Sequence, residues 1–127
     1  MGARLHYAKV IDKELFYARG AKVHPGLENE VILEAEPGKA GAFLVLRAWS
    51  HDHGTFTEEW RIEDSGGAVV YKSLPRELHL ATPTHIERLE DEIADLELEY
   101  AADDYTVVFR LDEREVARVR FRVKVAH

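Results

Sequence analysis

Four side chains in this sequence could hold a metal ion. His51 and His53 stand at alternate positions, Glu58 follows His53 after four intervening residues, and His85 comes downstream of Pro83. Two imidazoles at i and i+2 of an extended segment point to one side, and with a carboxylate oxygen they form a donor set that suits iron, manganese, nickel or zinc. With His85 as a fourth ligand, such a centre would keep open positions for a substrate or for oxygen. The same residues also read as the polar tip of a hairpin, Ser50-His51-Asp52-His53-Gly54-Thr55, in which the histidines are solvated and no cofactor is involved. His6, His24, His79 and His127 are scattered along the chain.

A second pattern is one of charge. Arg118, Arg120, Arg122 and Lys124 alternate with Val119, Phe121, Val123 and Val125, so on a strand every cation faces away from the core. Between Glu87 and Asp104 lie nine acidic residues and one basic. The basic row is open to two readings. Charge on a terminal strand near a sheet edge would prevent edge-to-edge aggregation. Alternatively the row docks on an acidic partner, including the Glu-rich belt of another copy, which would make the protein a homodimer or a larger assembly.

Composition removes many chemistries. Across 127 residues there is no cysteine, which excludes disulfides, thiolate nucleophiles and Cys-based metal sites. A formal charge of −7 argues against general nucleic-acid binding, and the basic row lacks the interleaved aromatics of single-strand platforms. No Gly-x-Ser-x-Gly elbow, P-loop or dinucleotide fingerprint occurs. No apolar run is long enough for a membrane span, and the first residues lack a secretory signal, so the expected setting is the cytoplasm.

The elements that must position these residues read as strands. Leu5–Ile11 and Glu14–Arg19 are β-prone pieces around an Asp12-Lys13 turn, and 31–36 is a further strand. The run 42–49 is apolar on both parities up to Leu46, which suits a central strand, and should be core. A hairpin-like connection at 50–55 leads to 56–64, where Phe56, Trp60 and Ile62 share a parity with the misfit Glu58. That glutamate is re-aimed by a bulge, sits at the rim, or has a role. Ser65-Gly66-Gly67 turns the chain into 68–73. Thr84 with Glu87 forms a capping-box pattern, and Ile86, Leu89, Ile93 and Leu96 follow at helical spacing, predicting a short helical crossover over 85–93. From about Asp95 the period becomes two, through Leu96, Leu98 and Tyr100. The chain then continues as Tyr105-x-Val107-x-Phe109-x-Leu111, the charged turn Asp112-Glu113-Arg114-Glu115, and the basic strand from Val116.

This last third resembles the final strands of immunoglobulin-like and fibronectin-III-like β-sandwiches, with Tyr105 where such domains carry the tyrosine of their corner. Asp103-Asp104 replaces the usual glycine, and Val107 stands where antibody domains have cysteine. The whole chain is also similar to small bacterial sandwich proteins without assigned function. The His51-x-His53 stretch with Glu58 resembles the first metal-binding motif of cupins, although Val45 replaces the glycine expected six positions ahead. The resulting expectation is a single all-β domain over 1–127. It is an immunoglobulin-like antiparallel sandwich of about seven to nine strands with one short helical crossover. Its core is drawn from Val31, Leu33, Phe43, Val45, Leu46, Trp60, Ile62, Leu96, Leu98, Tyr105, Val107, Phe109, Phe121 and Val123, with Trp60 and Tyr105 nearest the centre. The expected function is a non-catalytic binding or assembly module, and the alternative is a cupin-like metal enzyme using His51, His53 and Glu58.

Overall fold

A computed structural model of the protein describes residues 2–34, 38–99 and 104–125. Readings that involve Glu36, Tyr100 and Asp103 lie outside the described residues. In chain order the elements are β1 (Arg4–Asp12), α1 (Lys13–Ala18), β2 (Glu30–Leu33), β3 (Gly38–Lys39), β4 (Phe43–Ser50) and β5 (Gly54–Glu63). They continue with β6 (Val69–Lys72), β7 (Arg76–Leu80), β8 (Glu87–Ile93), β9 (Glu97–Leu98), β10 (Tyr105–Leu111) and β11 (Arg114–Val125). The all-β expectation holds. Nine strands form one hydrogen-bonded sheet in the order β6-β5-β10-β11-β2-β1-β4-β8, with β7 also on β5, while β3 and β9 pair separately.

The sheet is mixed rather than wholly antiparallel. β11 runs antiparallel to β10 over residues 114–121, then parallel to β2 over Arg122–Val125, and β2 meets β1 in parallel at Ile11 and Glu30. A strand of twelve residues is long enough to serve one neighbour with its first part and another with its last. The path folds back on itself, because strands far apart along it touch through their side chains. Phe43 of β4 lies 6.2 Å from Phe121 of β11, and Trp49 of β4 meets Phe109 of β10 edge-on at 6.4 Å. Two β layers therefore face each other, joined by β11.

β4 explains why its sequence is apolar on both parities. Phe43, Val45 and Trp49 enter the cluster between the layers. Leu44 and Leu46 face outward but are covered by Ile11, Phe16 and Leu27 in a second cluster. Phe16 comes from α1. The sequence reading made 14–19 extended, yet Asp12 caps a helix there: its Oδ2 accepts the Leu15 N–H at 3.0 Å. The helix ends in a Schellman-type turn, Ala21 N donating to Phe16 O and Gly20 N to Tyr17 O, with Gly20 at φ 92°. Asp12 ahead of the six-residue helix and Gly20 beyond its C-cap were the signals that outweighed the aromatic content.

The expected helical crossover over 85–93 is overturned: Glu87–Ile93 is strand β8, antiparallel to β4. Leu89, Asp91 and Ile93 share the inner side, and the polar residue among them disguised the period of two. The capping-box pair does not form, because Glu87 Oε1 lies 3.1 Å from His85 Nε2 instead. Similarly, the 50–55 segment is no hairpin. β4 and β5 are not hydrogen-bonded to each other, and the connection arches from one layer to the opposite one. The stretch after Asp95 contributes only the two-residue β9. The expected core positions are buried apart from Leu96, which packs on the cluster from a partly exposed position. Val10, Leu78 and Leu80 join the same cluster unanticipated, beside Trp49 of the run expected as core.

The β10–β11 hairpin turns through Asp112 and Glu113, both at positive φ, 49° and 67°. This is the backbone sign pattern of a type I′ turn, which favours glycine at its second position. Glu113→Gly should therefore raise stability by about 0.5–1 kcal/mol, measured by urea unfolding; it keeps the main-chain carbonyl that accepts from Arg110, and a loss of stability would show that the added freedom of the unfolded chain outweighs the relief of strain. Among the described residues no helix is long and apolar enough to cross a membrane.

Candidate functional site

The misfit glutamate has a partner in the opposite layer. Glu58 of β5 and Arg47 of β4 are both almost wholly buried, and the guanidinium grips the carboxylate with Nε at 2.9 Å from Oε2 and Nη2 on Oε1. Trp49 donates its indole N–H to the same Glu58 carboxylate. Arg47 also reaches the Val45 carbonyl at 3.2 Å and Asp91 of β8 at 3.0 Å. Asp91 in turn accepts the Trp60 indole N–H at 2.8 Å and Arg76 at 2.7 Å. Two cations and two anions thus form a neutral, fully bonded chain from the interior to the surface at Arg76. Burial of this kind is tolerable only with every polar atom satisfied, and among the described residues no buried side-chain polar atom lacks a partner.

Burial pulls the Asp91 carboxyl upward. The Trp60 hydrogen bond, the charges of Arg47 and Arg76 and the Arg47 hydrogen bond outweigh it, so its pKa lies below the ordinary aspartate value of 3.8. A folded-state pKa lower than the unfolded one adds stability above the unfolded value, and this contribution disappears as pH falls through the folded value. The acid limb of stability below about pH 4 should therefore be shallower in Asp91→Asn than in the native chain, as read from urea midpoints. Parallel acid limbs would remove Asp91 from the cause.

The four candidate metal ligands are placed apart. Glu58 is committed to Arg47 and Trp49. His51 has a positive φ of 72°, donates its N–H to the Pro83 carbonyl at 3.1 Å and lies 2.7 Å from Ser50 Oγ through Nδ1. The His53 side chain is exposed beside Asp52. His85 accepts the Ala81 N–H at 3.2 Å and meets Glu87. Among the described residues no group of three or more His, Asp or Glu is arranged to hold a metal ion.

The basic row faces outward. β11 pairs with β10 over its first part and with β2 over its last, so Arg118 and Arg120 stand on one pairing and Arg122 and Lys124 on the other; at the end of the sheet path β8 carries Glu90 and Glu92 outward beside Leu46 and Leu44 of β4. Arg118 is held by Glu115 at 2.7 Å and by Glu63 at 3.4 Å, and Lys124 by Glu30 at 2.8 Å. The hydrogen bond from Lys124 keeps the Glu30 carboxyl below the usual glutamate range. Arg120, its side chain 74% exposed, only approaches Asp104 at 3.8 Å, and Arg122 makes no ion pair among the described residues. Across the same face run Arg61 and Glu63 of β5 and Arg110 of β10, with Val108 buried between Arg61 and Arg118 of the neighbouring strands. Aliphatic stems of the arginines cover such a residue.

Arg47, Asp91 and Trp49 were missed by sequence reasoning. Arg47 lies on the parity of Phe43, Val45 and Trp49, as Glu58 lies on that of Trp60 and Ile62. Two opposite charges on apolar parities of consecutive strands were the signal of a buried pair.

No family model matches this chain, and no curated protein does. Solved structures resemble it in fold. The Pseudomonas fluorescens alkylpurine DNA glycosylase AlkC, bound to DNA containing an abasic site analog, superposes on 96% of this chain at TM-score 0.55 and 10% identity. A glycosyl hydrolase family 2 member from Bacteroides cellulosilyticus covers 74% at TM-score 0.51 and 18% identity. The chain spans 30% of the first protein and 15% of the second. At these identities the likeness is one of fold alone.

Proposed function

We propose that this chain is a small, cytoplasmic, non-catalytic binding or assembly module of immunoglobulin-like architecture, whose working surface is the row Arg118, Arg120, Arg122 and Lys124. The architectural part is supported by Tyr105, near the start of the penultimate strand, whose hydroxyl accepts the Glu99 N–H at 3.0 Å, as the tyrosine of a sandwich corner does. The functional part is supported by one observation: Arg118 and Arg120 on the β10-paired half and Arg122 and Lys124 on the β2-paired half all stand on the outward face of β11, and Arg120 and Arg122 are little neutralised by neighbours among the described residues. Arg120 and Arg122, the two with the fewest local anions, are the recognition residues, and Arg118 and Lys124 frame them.

The partner we infer is an acidic protein surface, another copy of the chain included. One structural neighbour, AlkC, is bound to DNA. Here, however, Glu59, Glu63 and Glu115 are interspersed among the cations, and the cross-strand positions Arg61, Thr106, Val108, Arg110, Arg118 and Arg120 include no aromatic ring on which a base could stack. The test is sedimentation at low and high salt together with titration of a polyglutamate peptide and of a single-stranded oligonucleotide of equal charge. The native chain should bind the peptide or self-associate in a salt-sensitive way, and the double variant Arg120→Glu, Arg122→Glu should lose it at least tenfold. Binding of the oligonucleotide alone, or indifference to the double variant, would overturn the reading.

A further inference from the structure

Beside α1 an open groove of about 920 Å³ runs between the helix, Ile32 and Glu34 at the end of β2, and Gly41 and Ala42 before β4. Its floor is apolar, from Leu15 and Ile32, and its charge is unbalanced. Glu14 and Glu34 are exposed at the rim. Lys13 also lines the groove, but its ammonium is drawn to Glu92 of β8 at 2.9 Å, a contact that raises its pKa.

At the base lies Asp12, a residue only 8% exposed. One carboxylate oxygen, Oδ2, is used to cap the helix, and Oδ1 has no hydrogen-bond donor among the described residues. Gly41 stands against that free oxygen: a Cβ there would come within 3.3 Å of Asp12 Oδ1. At the rim Tyr17 is 55% exposed, its ring set edge-on to the buried Phe16 at 5.7 Å. A largely buried carboxylate whose second oxygen opens onto the groove, apolar lining from Leu15 and Ile32, and an exposed aromatic face are the features that recognise an ammonium or guanidinium on an aliphatic chain.

We propose that this groove binds a lysine or arginine side chain carried on an extended basic segment of a partner protein, with Asp12 Oδ1 as the acceptor, Tyr17 as the aromatic wall and Glu14 and Glu34 as steering charges. The site is separate from the basic row of β11 and takes ligands of the opposite sign, so either can fail without the other.

The experiment is calorimetric titration with an end-blocked peptide of alternating lysine and serine, with spermidine as the free amine. Asp12→Asn keeps the cap, since asparagine caps a helix as well as aspartate, and removes the charge. Gly41→Ala crowds Oδ1, and Glu77→Gln on β7, outside the groove lining, removes one negative charge elsewhere on the chain. The peptide should bind the native chain, lose tenfold or more in affinity with Asp12→Asn and with Gly41→Ala, and be unaffected by Glu77→Gln. Equal weakening by Glu77→Gln would reduce the effect to overall charge and overturn the site, and spermidine binding as tightly as the peptide would overturn the peptide as its occupant. If Asp12→Asn melts early, Tyr17→Ala on the exposed rim decides: loss of binding supports the site and retention overturns it.

Discussion

Replacing Glu58 with alanine should destabilise the fold by about 3–5 kcal/mol, the usual cost of stranding a buried charge. The guanidinium of Arg47 would remain between the layers with only Asp91 and one carbonyl to satisfy it, and the Trp49 indole N–H would lose its acceptor. Arg47→Met should cost a comparable amount by stranding the Glu58 carboxylate. The double variant Arg47→Met, Glu58→Leu should cost well below the sum, because neither change then leaves a charge alone. Urea unfolding of the three variants closes the cycle. A cost below about 1 kcal/mol for Glu58→Ala would mean that water reaches the pair and that the network is not the clasp described here.

Phe109→Ala is expected to cost a similar amount, about 3–5 kcal/mol, for a different reason. Phe109 is fully buried, lies opposite Trp60 in the β5–β10 register and meets Trp49 from the other layer. Its removal opens a cavity that neither rigid strand can close. Leu74, 87% exposed, provides the comparison: Leu74→Ala should shift the urea midpoint by less than the scatter between replicates. Equal costs at the two positions would mean that the layers do not interlock through this ring.

How much of this was legible depends on which force dominated locally. Alternation in 105–125 gave the β10–β11 hairpin and the outward basic row because one face is core and the other solvent. The doubly buried β4 was legible because both parities are apolar. Helix α1 was hidden because Phe16 and Tyr17 read as β-formers, while the deciding contributions came from Asp12 at the cap and Gly20 at the end. β8 was hidden by Asp91, a polar side chain on a buried parity whose partners come from β4, β5 and β7. No single-strand pattern contains that information. The grouping of His51, His53 and Glu58 failed for the same reason: their closeness in sequence is real, but the chain arches between layers at that point, and Glu58 turns to an arginine eleven residues earlier.

The two-neighbour strand β11 has a consequence for how the chain reaches its native state. Its parallel ladder sets Arg122 against Glu30 and Val125 against Leu33, segments separated by most of the sequence. Joining them closes a long loop whose entropy must be lost before any of those bonds contributes. The hairpins β5–β6 and β10–β11 can form ahead of that event from local contacts, but each then exposes an apolar face with no layer to cover it. Of the strand pairings described, the parallel ladder spans the most sequence and so carries the largest closure cost, and the residues that offset that cost, Val31, Leu33 and Val123, are interior ones rather than the charged side chains that decorate the same strand.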